Sequence, residues 1–385
     1  MRWLLGSDGM KIPLAQPDLT WLERKAVLDV VESTFLSLGP KVPEFERAMA
    51  RYIGVKHAIA VNSGTSGLHL LVRALGIGRN DEVITTPFSF ISSANCVLME
   101  GARPVFVDID CETYNIDPDK IEAAVTPRTK AILGVDVFGR CAEWDRIEEI
   151  ARRRGLAIIE DSCEAIGAEA FGKMAGSFGD GGCLAFYPNK QMTTGEGGMI
   201  LTDRDDVAAL CRSMRNQGRD EGQGWLEHAR LGFNYRLSDI HSALGLAQLS
   251  RIEELLEKRA AVADLYRERL GHLDTLVRPV APRQGRLSWF VYVVRLTDRF
   301  TRADRDRILL ALRENGIGCN KYFAPIHLQP FYVEQFGFKP GDFPITEHIC
   351  ERTIALPFFP GMTPDQVTQV AECLTQAICT TETRL

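Results

Sequence analysis

Leu156-Ala157-Ile158-Ile159-Glu160-Asp161 is an apolar run that ends on two acids. It reads as a buried strand with carboxylates at its C-terminal end, where open α/β sheets place their ligand crevice. Similar runs precede it. His57-Ala-Ile-Ala-Val61, Glu82-Val-Ile-Thr85, Pro104-Val-Phe-Val-Asp108 and Lys130-Ala-Ile-Leu-Gly-Val135 each read as strands. Helical patterns separate them, from Gly67 to Leu75 and near Ser92 to Met99. Strands that alternate with helices predict a mostly parallel sheet covered on both faces. Near-continuous apolar strands are what such a doubly covered sheet requires. After residue 240 the pattern changes. Ile240 to Arg269 predicts long helices, Leu287 to Leu296 alternates like a strand, and Arg302 to Asn315 predicts a helix stopped by Gly316. The expected fold is therefore α/β, with a large domain over residues 1–250 and a smaller C-terminal α+β domain over 251–385.

The bulk numbers fit a soluble globular protein. The chain has 385 residues, 45% hydrophobic and 25% charged, with a formal net charge of -6. That balance gives no reason to expect a nucleic-acid partner. Ten cysteines occur without a CxxC pair or zinc-finger spacing, so reduced cysteines in a cytoplasmic protein are expected and no metal is. The N-terminal Met1-Arg-Trp-Leu-Leu-Gly-Ser-Asp8 has too short an apolar run for a signal peptide. No run of about 18 apolar residues predicts a membrane span.

Two further stretches, with the acid end of the opening run, carry chemistry. In Phe186-Tyr-Pro-Asn-Lys190-Gln-Met-Thr-Thr-Gly195-Glu-Gly-Gly198 a lysine precedes a Thr/Gly-rich turn that lets backbone approach a bound group. A partly desolvated lysine loses its proton more easily and attacks carbonyls. Asp161 sits where a carboxylate can pair with a protonated ring nitrogen, as in pyridoxal phosphate. The turn Asn62-Ser63-Gly64-Thr65-Ser66-Gly67 opens a helix, and its amides make an anion site. It has neither the Lys-Ser/Thr of a nucleotide triphosphate loop nor dinucleotide-fold glycine spacing. Taken singly, each stretch has an ordinary alternative: a surface lysine, a helix-capping aspartate, a simple turn. Together, a phosphate turn, a strand-end aspartate and a following lysine are the parts that hold one pyridoxal phosphate.

With these motifs in this order, the sequence resembles the DegT/DnrJ/EryC1/StrS family of sugar aminotransferases, of the fold type I architecture. The resemblance also takes in Leu38-Gly-Pro40, Gly232-Phe-Asn234-Tyr-Arg236, Pro325-Ile-His327 and Leu356-Pro357. It implies that Lys190 forms the internal aldimine and shuttles the proton, with pyridoxamine phosphate as the intermediate. It implies that Asp161 keeps the pyridine nitrogen protonated, Phe88 stacks on the ring, and Gly64 and Thr65 hold the phosphate. Glu164 would lie near the phenolic oxygen, and His327 near the substrate. Asn234 would reach the neighbouring subunit's phosphate in a homodimer. Many relatives carry Ser five residues before the lysine; here that position is Ala185.

The expected reaction transfers an amino group from an amino acid, glutamate in the first instance, to a nucleotide-linked keto-sugar such as a 4-keto-6-deoxyhexose. A keto-cyclitol acceptor and a non-catalytic, cofactor-binding regulatory protein are the alternatives. A sugar dehydratase of the same fold would carry histidine in place of Lys190. Trp289 and Phe290 read as core.

Overall fold

The computed structural model describes residues 11–383 apart from Glu221, Gln223, Trp225 and Arg283; the N-terminal run Met1–Asp8 lies outside the described residues. The strands β1 (His57–Val61), β2 (Glu82–Thr85), β3 (Arg103–Phe106), β4 (Thr129–Val135) and β5 (Ala157–Asp161) follow in chain order. A short hairpin, β6 (Glu169–Ala170) and β7 (Lys173–Met174), leads to β8 (Gly181–Ala185) and β9 (Gly198–Thr202). Seven of these form one sheet in the order β1-β9-β8-β5-β4-β2-β3. Only β9 runs against its neighbours, so the sheet is mostly parallel as expected. Its strands are buried because both faces are covered. One side packs on Leu68, Leu71 and Val97, and the other on Phe45, Met49 and Leu255 or on Trp144 and Ile147. Each such side chain taken fully from water contributes about 1.5–3 kcal/mol.

The register sets the site. Asp161 of β5 lies beside Cys183 of β8 and Val135 of β4, while Ala185 of β8 pairs with Gly198, and Gly198 with Val61. The segments that leave β1, β2, β5 and β8 at their C-terminal ends therefore emerge on one edge. These segments carry Gly64, Phe88, Glu164 and Lys190.

The pleat sends Glu160 and Asp161 to opposite faces. Glu160 is fully buried and accepts the amides of Gly176 (2.6 Å) and Phe178 (2.8 Å). It is hydrogen-bonded to Asp136, itself fully buried under Trp144 Nε1, Ala142 N and the Ser162 hydroxyl. Burial pushes both carboxyls up, and for Glu160 the Asp136 charge adds to it. The pair thus holds a proton that the unfolded chain has lost, and that stability fades as pH rises toward the folded value. Asp136→Asn keeps an oxygen for Trp144 and Ala142 and gives Glu160 an amide donor. We expect this variant to have a flatter stability curve above pH 5, by up to about 1.4 kcal/mol per pH unit. Urea unfolding between pH 5 and 9 checks it; parallel wild-type and variant curves would show that the pair does not share a proton.

The C-terminal part builds a second core. A three-stranded antiparallel sheet, β10 (Leu276–Val277), β11 (Tyr292–Leu296) and β12 (Thr353–Leu356), packs on the helices Ile252–Arg269, Arg302–Glu314 and Pro364–Glu382. Ile12 joins that core through a bridge to Ile317, so the N-terminal segment crosses to the C-terminal unit. The expected long helices over 240–269 are two, Asp239–Ser250 and Ile252–Arg269. They break at Arg251, whose guanidinium is held by Glu23, Asp18 and Glu254. Among the described residues no helix is long and apolar enough to cross a membrane.

Candidate active site

Lys190 sits on a loop closed at its base. Beyond β8, Phe186 donates its amide to Gly197 O (2.9 Å) and accepts from Thr194 N and the Thr193 hydroxyl. Within the loop, Lys190 N bonds Tyr187 O at 2.9 Å. Gln191 ties the loop to its surroundings through Glu164 O (2.7 Å) and the Ser288 hydroxyl (2.9 Å). The Lys190 side chain is 13% exposed, and its Nζ lies 3.8 Å from Glu164 Oε1 and 4.0 Å from the centre of the Phe290 ring. Phe290 is core, as expected, but its ring also faces the lysine.

Glu164 is buried, and burial pushes its carboxyl up against the opposing pull of Lys190 and of the Phe138 amide. Phe138 donates that amide at 3.0 Å from a left-handed backbone (φ 56°, ψ 23°), a costly conformation for a bulky side chain. It is held there by rings, Phe323 stacked at 5.4 Å among them.

Asp161 is 4% exposed and receives only neutral donors, the Ser93 hydroxyl at 2.6 Å and the Cys163 amide at 3.2 Å. Among the described residues no lysine or arginine forms an ion pair with it. A buried carboxylate with no cation is costly, so the site is built for a cationic N–H from a ligand. A protonated pyridine nitrogen has that chemistry. Ser93, a residue that sequence reasoning missed, is linked to the Ser89 hydroxyl (2.7 Å) and to Phe90 O.

The helix Gly64–Ala74 begins at the end of β1. Its cap, Ser63, accepts from Ser66 N, which leaves the amides of Gly64 and Thr65 without an intrahelical carbonyl. Position 64 admits no side chain: a Cβ there would stand 2.8 Å from Cys163 Sγ and 2.9 Å from Ala185 Cβ. A Cβ on Gly198 would meet the Ser63–Gly64 backbone at 2.6–2.7 Å. Backbone and glycine therefore form a close-walled anion cradle at a helix N-terminus, which fits a phosphate. Position 185 is part of that wall. We expect Ala185→Ser to tighten cofactor binding by up to about 1.5 kcal/mol, less than a full charge-assisted hydrogen bond, because solvent can satisfy a phosphate oxygen that the protein leaves open. Titration of the apo-protein with pyridoxal phosphate checks this; equal or weaker affinity would show that the cradle is satisfied without a hydroxyl.

Two expected residues lie elsewhere than the sequence suggested. Phe88 is fully enclosed, with Phe323 at 5.2 Å, Tyr114 at 5.7 Å and Phe138 at 5.9 Å, so it offers no face to a ring. Phe90, two residues on, is 63% exposed, and its carbonyl accepts from the Ser93 that holds Asp161. His327 is likewise fully buried. Its Nε2 meets Glu347 Oε1 at 3.0 Å, its ring packs on Phe343 at 4.7 Å, and burial pushes its pKa down. In this structure its ring is enclosed by Glu347 and Phe343, while its Nδ1 has no hydrogen-bond partner among the described residues. Asn234 is exposed, and its carbonyl accepts from Asn62 Nδ2 at 3.4 Å, beside the Gly64 turn of its own chain.

A cavity of about 610 Å³ opens beside this segment. Arg212, Arg215, Arg219, Arg230 and Arg236 line it, with Asp220. Arg215 is paired with Glu46 and Arg230 with Asp220.

Comparison with known proteins places these features in context. The model of the DegT/DnrJ/EryC1/StrS aminotransferase family matches residues 17–375. GDP-perosamine synthase of Caulobacter vibrioides is 42% identical over 97% of this chain and 100% of its own. The Helicobacter pylori aminotransferase PseC, involved in the biosynthesis of pseudoaminic acid, superposes with a TM-score of 0.91 at 30% identity, covering 96% of this chain and 99% of its own. The PLP form of a putative sugar aminotransferase, Spr1654 from Streptococcus pneumoniae, gives 0.91 at 26% identity, covering 96% and 99%.

Proposed function

The chain belongs to the DegT/DnrJ/EryC1/StrS aminotransferase family, and from that premise we propose that it moves the amino group of L-glutamate onto a nucleotide-linked keto-sugar, a 4-keto-6-deoxyhexose. It is a pyridoxal-phosphate-dependent aminotransferase of fold type I. The observation that carries the reading is the grouping at the strand ends: Lys190 beside Glu164, with Asp161 buried and lacking a cation.

Bound pyridoxal phosphate supplies an electron sink for charge that develops on the substrate carbon. The residues do the rest. Lys190 Nζ, 3.8 Å from Glu164, would hold the cofactor's carbonyl carbon and would be the group that takes up and returns the proton of the substrate carbon. Asp161 holds the ring nitrogen protonated. Gly64 and Thr65 bind the phosphate through backbone amides. Phe90 presents the open aromatic face, the role expected of Phe88. Glu164 Oε1 lies 3.8 Å from Lys190 Nζ and would orient that nitrogen. The net exchange would balance: glutamate would give up its amino group and leave as its 2-oxo acid with uptake of one water, and the sugar ketone would gain that amino group with loss of one water.

The acceptor assignment draws on anchoring. A nucleotide diphosphate brings charges that arginines pair, and binding energy at a remote group can hold the keto carbon in place. The arginine-lined cavity near Asn234 offers such groups. GDP-perosamine synthase, by its name, makes an amino sugar linked to a nucleotide. We place the enzyme in the cytoplasm as a homodimer in which Asn234 serves the neighbouring site; light scattering should give the mass of two chains. A panel of nucleotide keto-sugars and keto-inositols, read by 2-oxoglutarate release, tests the acceptor. Turnover of keto-inositols alone would establish a cyclitol aminotransferase instead. Cofactor binding with no release from any acceptor would indicate a regulatory protein.

A further inference from the structure

Arg259 is a buried cation that the proposed chemistry does not use. It lies in the helix Ile252–Arg269, is 1% exposed, and forms no ion pair among the described residues. Burial alone pulls its pKa down to about 9, so it remains charged at neutral pH. A fold that only needed to fill this space would do so more cheaply with an apolar side chain. The guanidinium is instead spent on three backbone carbonyls. Nη2 donates to Lys190 O at 2.8 Å, and Nη1 donates to Phe290 O at 3.1 Å and to Trp289 O at 3.4 Å. These carbonyls belong to the two segments that meet at the lysine: the loop that carries Lys190, and the strand entry that carries the Phe290 ring 4.0 Å from its Nζ. A forked, planar donor suits that task, because it fixes two chain segments at a set separation.

We propose that Arg259 is a positioning residue for the nucleophile, clipping the Lys190 backbone to that of Phe290 so that Nζ is held in its attacking place. Gln191 ties the same loop to Glu164 and Ser288, but through its own side chain one residue further on. Among the described residues, Arg259 alone grips the lysine's own carbonyl and the residue facing its amine together. The inference rests on Lys190 being the attachment lysine.

The test separates attachment from binding. Pyridoxamine phosphate fills the cradle but cannot bond to Lys190, whereas pyridoxal phosphate must. Full-length Arg259→Met and Arg259→Lys chains, stripped of cofactor, are titrated with the first and re-loaded with the second, with borohydride trapping and peptide mass spectrometry at timed intervals. Misplacing a reacting atom by about 1 Å costs on the order of 10²-fold, so attachment at Lys190 should slow at least about tenfold while pyridoxamine phosphate affinity stays within about twofold. Unchanged attachment, or equal losses in both measurements, would overturn the proposal. Failure of both variants to fold would overturn it too, by making Arg259 a structural clip only. Trapping of the wild-type chain at a different lysine would instead sink the assignment of Lys190 itself.

Discussion

Replacing Lys190 with alanine should lower turnover on the order of 10⁴-fold or more, because one side chain performs two tasks. Its Nζ is both the anchor and the proton carrier, and no second lysine stands against Glu164 among the described ion pairs. The variant should still bind pyridoxamine phosphate, since the Gly64–Thr65 amides and Asp161 are untouched. Stopped-flow absorbance of the glutamate half-reaction measures the effect. Retention of a tenth of wild-type turnover would mean that another group moves the proton.

Asp161→Asn should be nearly as damaging, by roughly 10²–10³-fold in kcat, since truncating one partner of a buried charge pair costs about 2–5 kcal/mol. The argument follows from its surroundings. Ser93 and the Cys163 amide satisfy the carboxylate geometrically but do not neutralise it. An asparagine keeps much of that hydrogen bonding and the fold, yet gives the ring nitrogen no reason to stay protonated. The expected signature is a loss concentrated in the proton-transfer step, with a deuterium isotope effect on α-deuterated glutamate larger than in wild type. A variant with unchanged kcat would show that the ring works unprotonated here.

The parts of this molecule that sequence made legible are those in which local pattern and burial agree. The runs at 57–61, 82–85 and 157–161 are strands because both faces are covered, and an apolar run shows that directly. Boundaries moved where a polar side chain found a distant partner. The run ending at Asp108 stops pairing at Phe106, and Asp108 accepts the amides of Ile345 and Thr346 at the start of another helix. The alternation from Leu287 becomes a strand only at Tyr292, because the carbonyls of Ser288, Trp289 and Phe290 are taken by Gln191 and Arg259.

The site divides along the same line. Lys190, Asp161, Glu164 and Gly64 emerge on one edge because each follows, or lies within three residues of, a strand end, and that order is visible in the chain. Phe88 and Phe90 are two residues apart and alike in type. Which one faces open space depends on Phe323, Tyr114 and Phe138, brought in from far along the sequence. His327 was drawn to the site by its motif, but Glu347 and Phe343 enclose it. Ser93 and Arg259 carry no motif at all; only the hydrogen bonds to Asp161 and to the Lys190 carbonyl mark them.

The account stands on Lys190 as the residue that bonds the cofactor. Borohydride reduction of the holoenzyme, followed by proteolysis and peptide mass spectrometry, tests that directly. The phosphopyridoxyl mass should appear on the peptide containing Phe186-Tyr-Pro-Asn-Lys190 and on no other. An adduct on a different lysine, or a fully active protein with no adduct, would contradict it.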